Sequence, residues 1–176
     1  MDIVEFNKDL LNDTAILMAK VYGKLHNKDQ FVPTSLNTLL QLWDEQRIII
    51  LGCIDEDKQD RVAAVTYFKI PNETECYVNY CSLDFPVESC IHAESVAVDP
   101  MYRGKHLQQC LLRAGEDIAR QRYPERVNCF CTVHPKNRPS VVNLKAVGFN
   151  EVAHYDYFPD TKHSGMNRSV MYKSLV

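Results

Sequence analysis

A basic turn between a strand and a helix is the part of this sequence best suited to bind a ligand. The run from Val96 to Gln108 passes from an apolar strand, through Arg103, Gly104 and Lys105, into an amphipathic helix. The first backbone N–H groups of a helix have no partners within the helix, and the helix dipole favours an anion there. Arg103 and Lys105 add two positive charges at the same place. The sequence therefore predicts a phosphate-binding turn.

Two side chains that can accept a proton precede this turn. His92 and Glu94 lie in the predicted strand Cys90–Val98. Alternate residues of a regular strand share a face, so we expect His92 and Glu94 to lie on the face of Val96 and Val98. The ordinary pKa of histidine, about 6.5, favours His92 as the base at neutral pH, whereas Glu94 would orient it or position a substrate. The alternative is that both are solvated strand residues.

Hydrophobic periodicity predicts the elements that position these residues. The predicted helices are Leu10–Leu25, Leu36–Trp43, a helix from Leu107 that stops before Pro124, and Asn137–Val147. The predicted strands are Arg47–Ile54, Arg61–Ile70, Tyr77–Leu83, Cys90–Val98, Val127–Val133, Glu151–Phe158 and Ser169–Tyr172, the first two forming a hairpin. This order predicts an α/β (mixed α+β) fold: a three-layer αβα sandwich around a mixed, largely antiparallel sheet of about seven strands.

Length and composition narrow the class of protein. The chain has 176 residues, of which 45% are hydrophobic and 24% charged, and no linker divides it, so we expect a single domain over residues 1–176. The net charge of −3 argues against nucleic acid as a partner. No apolar run approaches the roughly 20 residues that span a bilayer, and Asp2 and Glu5 interrupt any signal-peptide pattern. We therefore expect a cytoplasmic protein with no membrane partner.

The seven cysteines and six histidines have no spacing typical of a disulfide framework or a metal site. We expect reduced thiols and no metal. Cys129 and Cys131 alternate within a predicted strand, and we interpret them as buried structural thiols rather than as a reactive pair.

Short motifs over residues 91–149 form a wider pattern. They are the turn Arg103-Gly104-Lys105-His106-Leu107-Gln108, Asn137 followed by Ser140, and the pair Gly148-Phe149. Together they resemble the acetyl-CoA-binding core of the GNAT N-acetyltransferase family. The turn of that family usually reads R/Q-x-x-G-x-G/A, so Arg103 matches it, whereas His106 and Gln108 stand where glycines are usual.

The resemblance implies that acetyl-CoA binds as a co-substrate between two splayed strands, with its pantetheine arm bonded to the backbone at Val96 and Val98. The Cβ atoms of His106 and Gln108 would crowd the pyrophosphate, but helical dihedral angles do not require glycine, so we expect adjusted rather than lost binding. The implied cofactor-binding residues are Val96, Val98, Arg103, Gly104, Lys105, His106, Leu107, Gln108, Asn137 and Ser140.

The implied reaction is transfer of an acetyl group from acetyl-CoA to a primary amine of a small molecule or protein. The amine must lose a proton, the oxyanion needs hydrogen-bond donors, and the two substrates must be aligned. We expect His92 and Glu94 to be catalytic, a backbone N–H near Val98 to serve the oxyanion, and Tyr155 and Tyr157 to line the acceptor pocket. The tyrosine that often acts as general acid in the family falls at Leu144, which departs from the pattern.

Two other functions stay open. Leu144, His106 and Gln108 are compatible with a CoA-binding sensor or structural module that has lost catalysis, which would bind acetyl-CoA without releasing free thiol. A phosphate-binding interaction domain would bind simple nucleotides as well as CoA. The sequence decides neither the acceptor, nor the acyl-chain length, nor the oligomeric state, for which a homodimer is one option.

Overall fold

A seven-stranded sheet forms the centre of the computed structural model, which describes residues 2–58, 61–160 and 162–176. Its strands are β1 (Asp2–Glu5), β2 (Ile48–Asp55), β3 (Arg61–Lys69), β4 (Cys90–Val98), β5 (Asn128–Val133), β6 (Asn150–Tyr155) and β7 (Arg168–Ser174). They are ordered β1-β2-β3-β4-β5-β7-β6, and of the described pairs only β4 and β5 run parallel. The predicted mixed, largely antiparallel sheet is confirmed.

Four helices cover the two faces of the sheet: α1 (Leu11–Gly23), α2 (Leu36–Asp44), α3 (Leu107–Arg122) and α4 (Arg138–Ala146). Strand β2 shows how the layers form, because Ile49 and Leu51 pack in the core beneath α3, whereas Ile48 and Ile50 pack beneath α1 and α2. Burial on both faces explains why this strand has no charged residue before its last position, Asp55. The predicted three-layer arrangement is therefore confirmed.

Helix α3 lies close to the sheet because a glycine faces it. A Cβ atom on Gly115 would stand 2.1 Å from the ring of Phe68 on β3, so any other residue would push the helix away. The helix begins after His106 and ends before Pro124, as predicted. Its position fixes the turn that precedes it relative to the end of β4.

The prediction and the structure differ at three elements. The predicted strand Tyr77–Leu83 is wrong, since Tyr77–Tyr80 forms a 3₁₀ helix whose side chains pack on an aromatic cluster instead of pairing with a strand. Strand β1 was not predicted, because it has only four residues and pairs only at the edge of the sheet, with β2. Strand β6 ends at Tyr155, before the predicted Phe158. Residues 59–60 of the predicted hairpin turn lie outside the described residues.

All seven cysteines are free, and Cys129 and Cys131 are buried, in agreement with the prediction. Burial raises the pKa of both thiols, which keeps them protonated and unreactive. Among the described residues, no helix is long and apolar enough to cross a membrane.

Candidate active site

A cleft opens in the sheet where β4 and β5 separate, and it is lined by residues 93–96 of β4 and 131–133 of β5. The two strands pair only from Cys90 to His92, and beyond His92 they diverge. Asp99 donates its backbone N–H to Ala63 of β3 at 2.9 Å. Since successive N–H groups of a strand point to opposite sides, those of Val96 and Val98 point away from β3 and towards the cleft.

The basic turn between β4 and α3 lines a second cavity, the turn pocket, of about 410 Å³. Arg103 and Lys105 are exposed, and neither forms an ion pair with a described residue. Gly104 has a φ of 80° and His106 a φ of 55°. The expectation of helical dihedral angles at His106 is therefore wrong, because the chain needs a left-handed residue to enter the helix, a conformation that costs roughly 1–2 kcal/mol without glycine.

Gln108 lies between the cleft and the turn pocket and lines both. Its amide group bridges α3 to α4, donating to Ser140 Oγ at 3.0 Å and accepting from Asn143 Nδ2 at 2.9 Å. Its dihedral angles are helical, as expected. The side chain that replaces a glycine here therefore narrows the passage between the two cavities.

Asn137 begins helix α4 at the mouth of the cleft. Its side-chain oxygen accepts the N–H of Ser140 at 3.5 Å, and its amide nitrogen donates to Gln30 O, in the loop between α1 and α2, at 3.3 Å. Asn137 is thus the N-cap of α4, a position at which asparagine is a preferred residue. All ten residues predicted to bind the cofactor line the cleft, the turn pocket or both.

A β-bulge in β4 changes which residues share a face. Ala93 pairs with Phe68 and Ser95 with Tyr67, so Glu94 is the extra residue between them. The alternation therefore reverses at Glu94, and Val96 packs on the α3 side together with Ala93. The expectation that His92 and Glu94 share the face of Val96 and Val98 is wrong.

His92 is fully buried, and both of its ring nitrogens are engaged. Nε2 accepts the backbone N–H of Tyr77 at 3.2 Å, so the proton lies on Nδ1, which donates to Glu94 Oε1 at 3.3 Å. The Tyr77 ring stacks on the imidazole at 4.1 Å between centroids. This geometry leaves His92 no free lone pair for a substrate proton and makes it a support for Glu94.

The Glu94 carboxylate is the centre of a buried charge network. Lys162 Nζ donates to Oε2 at 2.6 Å, and Lys69 Nζ lies 3.6 Å from Oε1. Tyr77 Oη also donates to Oε1, at 3.2 Å. Burial alone would raise the pKa of Glu94, but the charge of Lys162, the hydrogen bond from His92 and the charge of Lys69 outweigh it and hold this pKa well below its ordinary value.

A larger cavity of about 630 Å³ adjoins the cleft on the side of α2. Glu94 and Lys162 line both spaces. Most of the residues that line the large cavity are polar or charged, among them Lys69, which lies 3.6 Å from Glu94, and Arg47, which pairs with Glu75 at 2.9 Å. A molecule in the large cavity would therefore meet a molecule in the cleft beside Glu94.

The two tyrosines predicted to line the acceptor pocket lie elsewhere. Tyr155 is half-buried, and its hydroxyl donates to Tyr80 O at 2.9 Å, while Tyr157 is 79% exposed. Neither lines the cleft or the large cavity. The tyrosines that do line the large cavity are Tyr67, Tyr77 and Tyr80.

Sequence reasoning missed one pair of residues in the loop between β6 and β7. His163 lines the cleft and Asp160 the large cavity, and His163 Nδ1 lies 2.8 Å from Asp160 Oδ2. Two titratable residues three positions apart in a polar loop are a local signal of such a pair. Nothing in that spacing, however, indicates that the loop folds back over β4.

Leu144, at the position of the family's usual tyrosine, is buried and lines the cleft. Its side chain packs in the core beneath α3 and α4. No hydroxyl is thus available from this position of α4.

Solved structures share this fold at low sequence identity. YncA of Salmonella typhimurium, in a structure with its cofactor acetyl-CoA, is 19% identical with a TM-score of 0.70, covering 100% of this chain and 94% of the other. The ribosomal-protein-S18-alanine N-acetyltransferase of Escherichia coli is 17% identical (TM-score 0.68; 99% and 93% covered). A phosphinothricin acetyltransferase of Sinorhizobium meliloti in complex with acetyl-CoA is 12% identical (TM-score 0.69; 98% and 87% covered).

No curated protein matches this chain. The model of the acetyltransferase (GNAT) family matches residues 19–149, which include the diverging strands, the basic turn and helices α3 and α4. The fold and this match agree with the resemblance seen in the sequence motifs. The chain therefore belongs to the acetyltransferase (GNAT) family.

Proposed function

We propose that this protein is an acetyl-CoA-dependent N-acetyltransferase that acts on a primary amine of a small molecule or protein. The observation that carries the proposal is the position of Glu94, which lines both the cleft and the large cavity. A thioester held in the cleft and an amine held in the large cavity would meet at this carboxylate. Alignment of two reactants is itself a major part of catalysis of such a reaction.

The cofactor would occupy the cleft and the turn pocket. Its pantetheine arm would bond to the free backbone groups of Val96 and Val98, and its phosphates would lie on the N–H groups at the start of α3, beside Arg103 and Lys105. An N–H group of the same strand segment would also donate to the oxyanion formed from the thioester carbonyl. Gln108 stands across this path, so binding requires its side chain to move or the cofactor to pass around it.

Glu94 would hold the acceptor nitrogen, and His92 would act as a positioning residue. The low pKa of Glu94 keeps its buried carboxylate negatively charged, and this charge attracts the amine. His92 fixes the orientation of Glu94 through the hydrogen bond at 3.3 Å, while its own second nitrogen is occupied by a backbone N–H. This division of roles replaces the expectation that His92 itself takes the proton.

The second candidate is a CoA-binding sensor without turnover. Leu144 favours it, because no hydroxyl stands at that position of the cleft to protonate a leaving thiolate. The adjoining cavity of about 630 Å³ favours the enzyme, since a sensor needs no room for a second substrate. Because the ordinary pKa of a thiol is only about 8.5, CoA also leaves readily as a thiolate without a general acid.

Two measurements on the same protein test the proposal. Acetyl-CoA and CoA should each raise the melting temperature, by an amount equivalent to about 2.7 kcal/mol at 100 times the dissociation constant. ATP is the control, because a general phosphate-binding domain would be stabilised as strongly by ATP. Failure of millimolar acetyl-CoA to stabilise the protein would refute the proposal.

Thiol release from acetyl-CoA is the second measurement, with spermidine, phosphinothricin and a peptide that begins with alanine as probe amines. We expect release that depends on at least one of them. Tight binding of acetyl-CoA without release in the presence of any amine would favour the sensor.

We further propose that residues 1–176 form one acyltransferase domain, and that it acts in the cytoplasm.

A further inference from the structure

We propose that His163, oriented by Asp160, accepts the proton of the attacking amine. The proposal rests on the N-acetyltransferase function and adds to it a residue pair that lies outside the matched family segment, which ends at residue 149. It is carried by the geometry of the loop between β6 and β7.

Asp160 holds the imidazole of His163 in one orientation. One carboxylate oxygen accepts the backbone N–H of His163, and the other lies 2.8 Å from Nδ1. With Nδ1 donating to this carboxylate, the ring carries its proton on Nδ1 and presents a lone pair on Nε2. That is the form in which histidine accepts a proton.

The ring is packed where the two cavities meet. Its centroid lies 5.9 Å from that of Phe158 and 6.4 Å from that of Tyr77, and the residue is 5% exposed. His163 lines the cleft, and Asp160 lines the large cavity beside Lys162. A proton acceptor at this place would face both the thioester and the amine.

Burial is the main factor that favours the neutral form of His163. Burial lowers the pKa of His163 below its ordinary value, while the hydrogen bond to Asp160 acts in the opposite direction. Lys162 lowers this pKa further, and Glu94 on β4 raises it. Arg168, Cys131 and His134 also line the cleft. Tyr77 packs against the imidazole, and burial raises the pKa of its hydroxyl. At neutral pH the imidazole is thus unprotonated and ready to accept a proton.

The two alternatives on β4 are less suitable bases. Glu94 is paired with Lys162 and Lys69, which depress its pKa and so weaken its attraction for a proton. His92 has no lone pair free, because Tyr77 N–H occupies its Nε2. His134 also lines the cleft, but its Nδ1 accepts the N–H of Lys136 at 3.1 Å, so its proton lies on Nε2 and the ring has no free lone pair. Of these imidazoles, His163 is the one whose described hydrogen bonds leave a lone pair free.

The step balances without a further reactant. The neutral amine nitrogen forms a bond to the acetyl carbon, and one of its protons moves to Nε2 of His163. The C–S bond then breaks, and its electron pair stays on sulfur. The imidazolium returns the proton to the thiolate, so the products are the amide and CoA thiol.

The experiment compares His163→Asn with wild type and with His154→Asn. Asparagine retains an amide that can donate to Asp160 but has no basic nitrogen. His154 provides the matched control, because its imidazole on β6 is 41% exposed and lies outside both cavities. Thiol release from acetyl-CoA is measured between pH 5 and 9 with spermidine, phosphinothricin and the alanine peptide, together with the dissociation constant of acetyl-CoA.

We expect His163→Asn to lower kcat by about 100-fold or more and to abolish the fall in rate on the acid side, with unchanged acetyl-CoA affinity. Added imidazole should restore part of the rate, which no merely structural role predicts. Asp160→Asn should lower kcat less, and His154→Asn should behave as wild type.

Each contrary result has a distinct meaning. A His163→Asn variant with a wild-type rate and pH profile would overturn the role of His163 but leave the acetyltransferase proposal standing. If the fall in rate on the acid side disappears in Glu94→Gln but persists in His163→Asn, the base is Glu94 instead. A wild-type protein that turns over none of the three amines would refute the proposed function, and the role of His163 with it.

Discussion

Replacing Asp99 by asparagine tests how the end of β4 is held next to the basic turn. The Asp99 side chain is only 2% exposed, and its Oδ2 accepts from Lys20 of α1 at 2.6 Å and from Arg61 of β3 at 2.7 Å. Its Oδ1 accepts the N–H of Met101 at 3.1 Å. One carboxylate therefore ties a helix, a strand and the start of the turn together.

The structure gives the magnitude of the expected effect. Burial raises the pKa of Asp99, but the bonds from Lys20, Met101 and Arg61 outweigh it and lower this pKa from 3.8 to about 2. At about 1.36 kcal/mol per pKa unit, the shift corresponds to about 2.4 kcal/mol of stability. Lys20 and Arg61 are more than a third exposed, so screening reduces the expected loss in Asp99→Asn to about 1–2 kcal/mol.

The dependence on pH follows from the direction of the shift. A carboxylate with a lowered pKa in the folded state stabilises the protein fully above its unfolded pKa of 3.8, and this contribution is lost as the pH falls through about 2. The difference in free energy of unfolding between wild type and Asp99→Asn should therefore shrink to about half between pH 7 and pH 3.

Urea unfolding at pH 7 and pH 3 measures this difference, and Asp44→Asn is the matched control. The Lys8–Asp44 ion pair has a similar length of 2.7 Å, but both side chains are more than half exposed, so its loss should cost less than about 1 kcal/mol. Equal losses of free energy of unfolding in Asp99→Asn and Asp44→Asn at pH 7 would refute the reasoning. A loss in Asp99→Asn that does not change with pH would refute it as well.

Four further predictions concern the cofactor cavities. Arg103→Ala should weaken acetyl-CoA binding more at low than at high salt, as measured by calorimetry, because salt screens an exposed charge; equal affinities at low salt would place the phosphates elsewhere. Gly104→Ala should lower the free energy of unfolding, measured in urea, by about 1–2 kcal/mol, because an alanine is strained at the φ of 80° of this residue. The added Cβ itself would have nothing within 4 Å, and an unchanged unfolding midpoint would contradict the prediction. Gln108→Ala should open the passage and tighten acetyl-CoA binding, whereas weaker binding would show that its amide contacts the cofactor. Leu144→Tyr should change kcat only a few-fold, since a thiolate leaves without an acid; a rise of 100-fold would show that proton donation limits the native protein.

The periodic parts of the fold were predictable because local pattern and tertiary packing agree there. Helix α3 begins at Leu107 as predicted, and β4 ends at Val98, where the following Asp99-Pro100 stops the pairing. The segment Tyr77–Tyr80 has the composition of a strand, yet it forms a 3₁₀ helix. Its position offers no strand to pair with, and ring packing on His92 stabilises it instead.

The residues predicted to bind the cofactor line the cleft and the turn pocket because they belong to contiguous segments, and their contact with the cofactor stays a prediction. Residues 103–108 form one turn, and Asn137 with Ser140 forms one helix start, so short-range spacing is sufficient to bring them to their cavities. His106 is the exception. Its left-handed backbone depends on the path from β4 to α3, which residue type alone does not indicate.

The sequence by itself determined the layered fold, the family and the position of the basic turn, because each depends on residues that are close along the chain. Only the tertiary structure decided the chemistry at the junction of the cavities. A single bulge at Glu94 reverses the faces of β4, which turns Val96 away from Glu94. The loop that carries Asp160 and His163 reaches the same place from a position almost 70 residues further along the chain. Contacts between such distant segments depend on how the layers pack, and no local periodicity encodes them.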